Sequence, residues 1–252
     1  GEAVTVDGSI FVVNGQLTCD AIDVANGGML EVIGEWTSHG DGAALNLTGG
    51  SWAYSRMCGM SVSELTLSEN SMAVYASVDA ALLRDIELSG GSFLVLRGET
   101  LASDSLNAEL SDSTLIQLCS AELGGSSSVV LSRTSLYSQS GQLQLLDGGS
   151  VNIQSGARYV SFGGHLVLEP GSMLRNGGSF STFGFSDTHR ATVNGSLENR
   201  SSMFLTQPID ISGTFTNKGR IYSTIVPAEG SFSISDGAVV EGLDSIEPWP
   251  EG

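Results

Sequence analysis

One short phrase, repeated from end to end, constrains this chain more than any other feature. It is clearest at Ile86-Glu87-Leu88-Ser89-Gly90-Gly91-Ser92-Phe93-Leu94-Val95-Leu96. An apolar–polar–apolar arm enters a Gly/Ser corner, and a second, more apolar arm leaves it. The first arm has a period of two, as in a strand with one buried face. The corner needs residues that accept a tight bend, and Gly does so without steric cost.

The first arm recurs at Val4/Val6, Ile22/Val24, Leu45/Leu47, Leu65/Leu67, Ile86/Leu88, Ala108/Leu110, Val129/Leu131 and Val151/Ile153. It is followed further at Leu166/Leu168, Ala191/Val193, Ile209/Ile211 and Phe232/Ile234. The mean spacing is about 21 residues, in the range of a solenoid. The register blurs over 154–190, where extra Gly pairs intervene. A second arm repeats as Ile10/Val12, Trp52/Tyr54, Met72/Val74 and Phe93/Val95, most of them residue types of a core. The third part of each repeat varies in length and polarity.

These observations predict an all-β, single-domain parallel β-solenoid of about 12 coils, with two regular arms and one irregular arm per coil. One coil cannot bury its apolar face alone, whereas a stack makes a continuous interior column. The solenoid is expected over 1–242. Residues 243–252, with Pro248 and Pro250, are expected to form a cap or a linker. The best helix candidate, Val78 to Leu88, suits a strand as well. A leucine-rich-repeat-like solenoid is the alternative, since Val62-x-x-Leu65-x-Leu67-x-x-Asn70 fits that pattern once.

Charge narrows the partners. The chain carries 28 acidic and 10 basic residues, a net charge of −18, and Lys218 is its one lysine. Such a surface repels phosphate backbones and anionic membranes, so nucleic acid is not an expected partner. No apolar run reaches the roughly 18–20 residues of a membrane span, so no membrane insertion by this segment is expected. Gly1-Glu2-Ala3-Val4 reads as strand rather than secretory leader, which does not place the protein inside a cell.

Residues with chemistry are scattered. Cys19, Cys58 and Cys119 fall in coils too far apart for a disulfide and are expected to be buried thiols. His39, His165 and His189 lack metal-ligand spacing, so zinc is not expected. No nucleophile elbow, phosphate loop or calcium loop is present, and neither cofactor nor metal is expected. The repeated Gly-Gly-Ser corners read as turns, because a catalytic serine would occur once. Asn46, Asn194 and Asn199 sit in glycosylation sequons. Trp36, Trp52 and Tyr54 are the candidate ligand-binding residues. Trp52 and Tyr54 share one strand face, and Trp36, in a variable arm, is expected to be the more exposed.

The arms and corners resemble the right-handed β-helix repeats of bacterial surface adhesins and autotransporter passengers, which have the pectin-lyase-like fold. The likeness is strongest where Gly195-Ser196-Leu197-Glu198-Asn199 is echoed by Gly213-Thr214-Phe215-Thr216-Asn217. It implies a secreted or cell-surface structural or adhesive module without catalytic activity. The partner would be a host or environmental surface glycan or protein. A carbohydrate-binding β-helix is the alternative, and a polysaccharide lyase or hydrolase the second, since fold alone does not give function.

Overall fold

The computed structural model describes residues 2–40, 42–55, 62–75, 83–98, 100–163, 165–184, 190–225, 232–243 and 246–248. The regular elements among them are strands, with no α-helix. Their pairings are parallel, and each strand bonds to its counterpart one coil away. Two sheets have twelve strands, a third has seven, and Gln16–Thr18 with Glu35–Thr37 makes a short fourth piece. The protein is therefore a parallel β-solenoid, and the helix-containing leucine-rich alternative does not apply. At a strand spacing of about 4.8 Å, twelve strands make a stack roughly 55 Å long.

The third arm is more regular than its sequence suggests. From Thr100–Ser103 to Phe232–Ile234 it forms the seven-stranded sheet. At the end of the chain, Ile246–Pro248 pairs with Arg220–Ser223 as the last strand of the second sheet. Residues 78–82 of the helix candidate lie outside the described residues, whereas Asp85–Ser89 is strand.

The core is the set of inward residues of all three arms. Ile86 stacks between Leu65 and Ala108, and Leu88 between Leu67 and Leu110; each of the six is at most 2% exposed. Each such burial contributes about 1.5–3 kcal/mol. The corners repeat as faithfully. Gly90 and Gly91 have φ of +60° and +80°, which favour glycine. Ser92 follows them, is buried, and donates its hydroxyl to Ser89 O at 2.6 Å. Ser135 does the same to Ser132 O. These serines satisfy turn carbonyls.

The first arm changes register after Val151/Ile153, and this corrects the last four assignments. Leu166/Leu168, Ala191/Val193, Ile209/Ile211 and Phe232/Ile234 belong to the third sheet. The first sheet continues through Met173–Asn176, Ser196–Asn199, Thr214–Asn217 and Val239–Glu241. Its second inward position there is Asn176, Asn199 and Asn217, all buried. Asn176 Nδ2 donates to Asn199 Oδ1 at 2.7 Å, and Asn199 Nδ2 to Asn217 Oδ1 at 2.6 Å. A buried amide ladder replaces the second apolar residue, so the alternation vanishes from this arm and shows in the next. Asn199 is fully buried, so its sequon is closed in the folded chain.

The second arm is out of phase by one residue. Its inward residues include Leu30, Ala53, Leu94 and Tyr137, whereas Ile10, Trp52, Tyr54 and Met72 point outward. Both faces are apolar there, so a period of two cannot choose between them.

Two phenols lie wholly inside the second sheet. Tyr137 donates to Gln117 Oε1, and Tyr159 OH donates to Gln139 Oε1 at 3.1 Å. Burial raises the pKa of both phenols well above the ordinary tyrosine value. The folded chain thus holds both protons at a pH where the unfolded chain gives them up. Stability from this source is intact below about pH 10 and falls above it by about 1.4 kcal/mol per pH unit per tyrosine. Urea melts at neutral pH and at high pH are expected to show this loss. The double variant Tyr137→Phe/Tyr159→Phe is expected to start lower but to lose less on raising the pH; an unchanged slope would contradict the assignment.

Cys19 and Cys119 are buried free thiols, and burial raises both pKa values. Cys58 lies outside the described residues.

Candidate functional site

The outer face of the second sheet is the surface that departs most from the rest. Strand register sets its side chains in columns parallel to the solenoid axis. One column runs Met29, Trp52, Met72, Phe93, Thr114, Leu136, then Arg158, Ser179, Ser202 and Arg220. The neighbouring column includes Tyr54, Val74, Val95, Ile116, then Val160, Ser181, Phe204 and Tyr222. The early coils therefore present an apolar stripe on the solvent side. Ile10 is 70% exposed, Trp52 54% and Tyr54 40%. The first sheet shows the contrast, since its outward residues include Asp23, Asn46, Glu87 and Glu109.

The three aromatic candidates are placed differently from the sequence expectation. Trp36 is fully buried, and its Nε1 donates to Cys19 O at 3.1 Å. Its variable arm is paired with Gln16–Thr18, which turns the indole inward. Trp52 and Tyr54 do share one face, but that face is solvent, not core. The structure separates Trp36 from the other two.

Sequence reasoning missed a second aromatic group in the later coils. Phe162 stacks on Phe183 with centroids 5.2 Å apart and planes 14° apart. Phe204 stacks on Tyr222 at 5.0 Å and 20°. Between them lies an open groove of about 500 Å³ lined by Arg158, Val160, Phe162, Ser181, Phe183 and Phe204. Two features could have found it. The four aromatics recur every 21, 21 and 18 residues, close to the coil period. In addition, residues 155–225 carry six basic and four acidic side chains, against four and 24 in the rest of the chain.

The other charged groups make ordinary surface pairs. Glu198 takes Arg175 at 2.9 Å and Arg200 at 2.6 Å, and those bonds hold its carboxyl below the usual range. His39 Nδ1 lies 3.2 Å from Asp20, whose carboxyl is lowered by the bond from the His39 backbone N–H. His165 is exposed, and His189 lies outside the described residues. Glu87 and Glu109 are register partners on a flat groove of the first sheet, side by side on one face. Among the described residues no group of three His, Cys, Asp or Glu could hold a metal, and no helix is long and apolar enough to cross a membrane.

No protein-family model, curated protein or solved structure matches the chain.

Proposed function

We propose that this chain is an extracellular or cell-surface structural or adhesive β-helix module without catalytic activity, and that it makes contact through the outer face of its second sheet. The observation that carries this reading is the outward apolar column Met29, Trp52, Met72 and Phe93, half-buried except at Trp52, with Ile10 and Tyr54 exposed beside it. Contiguous exposed apolar surface on an otherwise acidic protein marks a contact site. A continuously bonded parallel stack is a stiff support for it. The crossover rule for parallel strands favours a right-handed coil, the hand of the adhesin and passenger repeats it resembles. The partner would be a surface glycan or protein. A lyase or hydrolase is a poorer reading, because glycoside hydrolysis sets two carboxyls on either side of the scissile bond. Glu87 and Glu109 stand on the same side.

Beads coated with the chain are expected to adhere to intact cells or extracellular matrix. The variant Trp52→Ser/Met72→Ser/Phe93→Ser, with an unchanged circular-dichroism spectrum, is expected to reduce adhesion about tenfold. Protease shaving of intact source cells is expected to release the protein. Beads no stickier than albumin-coated ones, with the protein protected inside the cells, would overturn the proposal.

A further inference from the structure

The groove in the later coils differs chemically from the apolar stripe, although both lie on the same sheet face. One lip is the run Arg158–Ser179–Ser202, and the same column continues along the axis to Arg220, one coil beyond the groove's end. At the strand spacing, its two guanidinium-bearing positions are three coils, or about 14 Å, apart. The other lip is the Phe162–Phe183 stack, and Phe204 stands at the far end with Tyr222 behind it. The floor is low because Val160 and Ser181 occupy the middle column.

Charge on this face is reversed relative to the whole chain. Among the described residues no carboxylate pairs with Arg158, whose column neighbours are Leu136 and Ser179. Arg220 Nη1 contacts Tyr222 OH at 3.4 Å, and among the described residues Glu247, one coil on, is the carboxylate that acts on it. Five other cations of the described residues are occupied by Asp112, Glu198 or Asp210.

A single small anion would engage one guanidinium and leave the other idle. Two guanidinia in line, with hydroxyls between them and aromatic rings opposite, suit an extended ligand. That ligand alternates negative groups with rings that have apolar faces and hydroxyl edges. Arginine's planar fork bonds carboxylate or sulfate through two parallel hydrogen bonds. Exposed rings take the apolar faces, and serines take the hydroxyls. From this geometry we infer that the groove binds an anionic oligosaccharide, carboxylated or sulfated, lying along the solenoid axis. A nucleic-acid strand shares the charge and the rings. It is disfavoured by the 24 acidic residues flanking the segment and by the shortage of cations to meet successive phosphates.

The inference rests on the outer face of the second sheet being a contact surface. Titration calorimetry with the whole chain tests it, using a heparin-derived hexasaccharide, hexagalacturonate, cellohexaose and a short oligothymidylate. At least one of the two acidic saccharides is expected to bind more tightly than cellohexaose and the oligothymidylate. A heparin response assigns sulfate, a galacturonate response assigns carboxylate, and a response to both assigns either anion. Losing one charge-assisted contact is worth about tenfold in affinity. Arg158→Glu is therefore expected to weaken the acidic saccharide by at least that factor, and Phe204→Ala to weaken it too. Thr5→Ala, on the outward face of the first sheet at the far end of the solenoid, is expected to change nothing. Failure of both acidic saccharides to bind overturns the inference. So does equal or tighter binding of cellohexaose or of the oligothymidylate, or full binding by Arg158→Glu. If saccharide binding fails while the Trp52/Met72/Phe93 variant still loses adhesion, this inference falls and the adhesive reading stands.

Discussion

Leu88→Asp is expected to destabilise the chain by about 5 kcal/mol, while Glu87→Lys, one residue away, stays within about 0.5 kcal/mol. Leu88 is 1% exposed and packs between Leu67 and Leu110 in the interior column. Removing its side chain forfeits about 1.5–3 kcal/mol of burial. A carboxylate in its place has no partner there and adds a desolvation cost of several kcal/mol, or else takes up a proton. Leu88→Ala should fall between the two, at about 2–4 kcal/mol. Glu87 points outward beside Glu109, so a lysine there meets an acid rather than a neighbour's core. Urea melts of the three variants check the order, and hydrogen exchange shows whether the loss centres on the adjoining coils. Equal midpoints for Leu88→Asp and Glu87→Lys would mean that the inward and outward faces have been exchanged.

That inward assignment was legible in the sequence because the first eight coils keep an apolar–polar–apolar arm beside a polar outer face. Legibility failed where one of those two conditions failed. In the first sheet beyond Ile153, the amide ladder Asn176–Asn199–Asn217 takes the second inward position. The apolar pair is then found in the third sheet, at Leu166/Leu168 and its successors. The coil period survives such a slip, and so the fold class is unaffected. In the second sheet the outer face is itself apolar, and alternation gives two equally good phases. Trp52, Met72 and Phe93 looked like core because nothing in the sequence says which apolar face has no protein over it.

The candidate site was legible only in part, for the same reason. Trp52 and Tyr54 were recognisable as neighbours on one strand face, since a spacing of two decides that. Trp36 was misplaced because a variable arm reads as loop, whereas pairing with Gln16–Thr18 makes it strand and aims the indole at the Cys19 carbonyl. The groove at Phe162, Phe183 and Phe204 needed the register between coils. Phe204 lines up with Ser181, not with Phe183, and a constant spacing of 21 residues does not reveal that offset.

The ladder that obscured the register also supplies a large expected effect. Asn199→Ala is expected to cost about 3 kcal/mol, more than the same change at Asn217. The Asn199 amide donates to Asn217 Oδ1 at 2.6 Å and to Arg220 O at 3.2 Å, and its oxygen accepts from Asn176 Nδ2 at 2.7 Å. Its neighbours are only partly protected. Asn176 Nδ2 also reaches Ser202 O, and Asn217 Oδ1 also accepts from Gly219 N. The change removes the bonds of Asn199 to Asn176, Asn217, Arg220 O and Ser201 N together, and a group left short of a bond away from water costs about 1–3 kcal/mol. Asn217 is 8% exposed and lies at the end of the ladder, so water replaces part of what it loses. Asn199→Leu separates hydrogen bonding from packing, because it restores apolar volume but not the amide. Asn199→Asp keeps the shape and accepts, but when ionised it cannot donate to Asn217 Oδ1. Its folded-state pKa is then raised, so its deficit is greatest at neutral pH and shrinks as the pH falls through that value. Denaturant melts at neutral and acid pH would show this pattern. Full stability of Asn199→Leu would mean that the ladder fills space and that its hydrogen bonds contribute nothing.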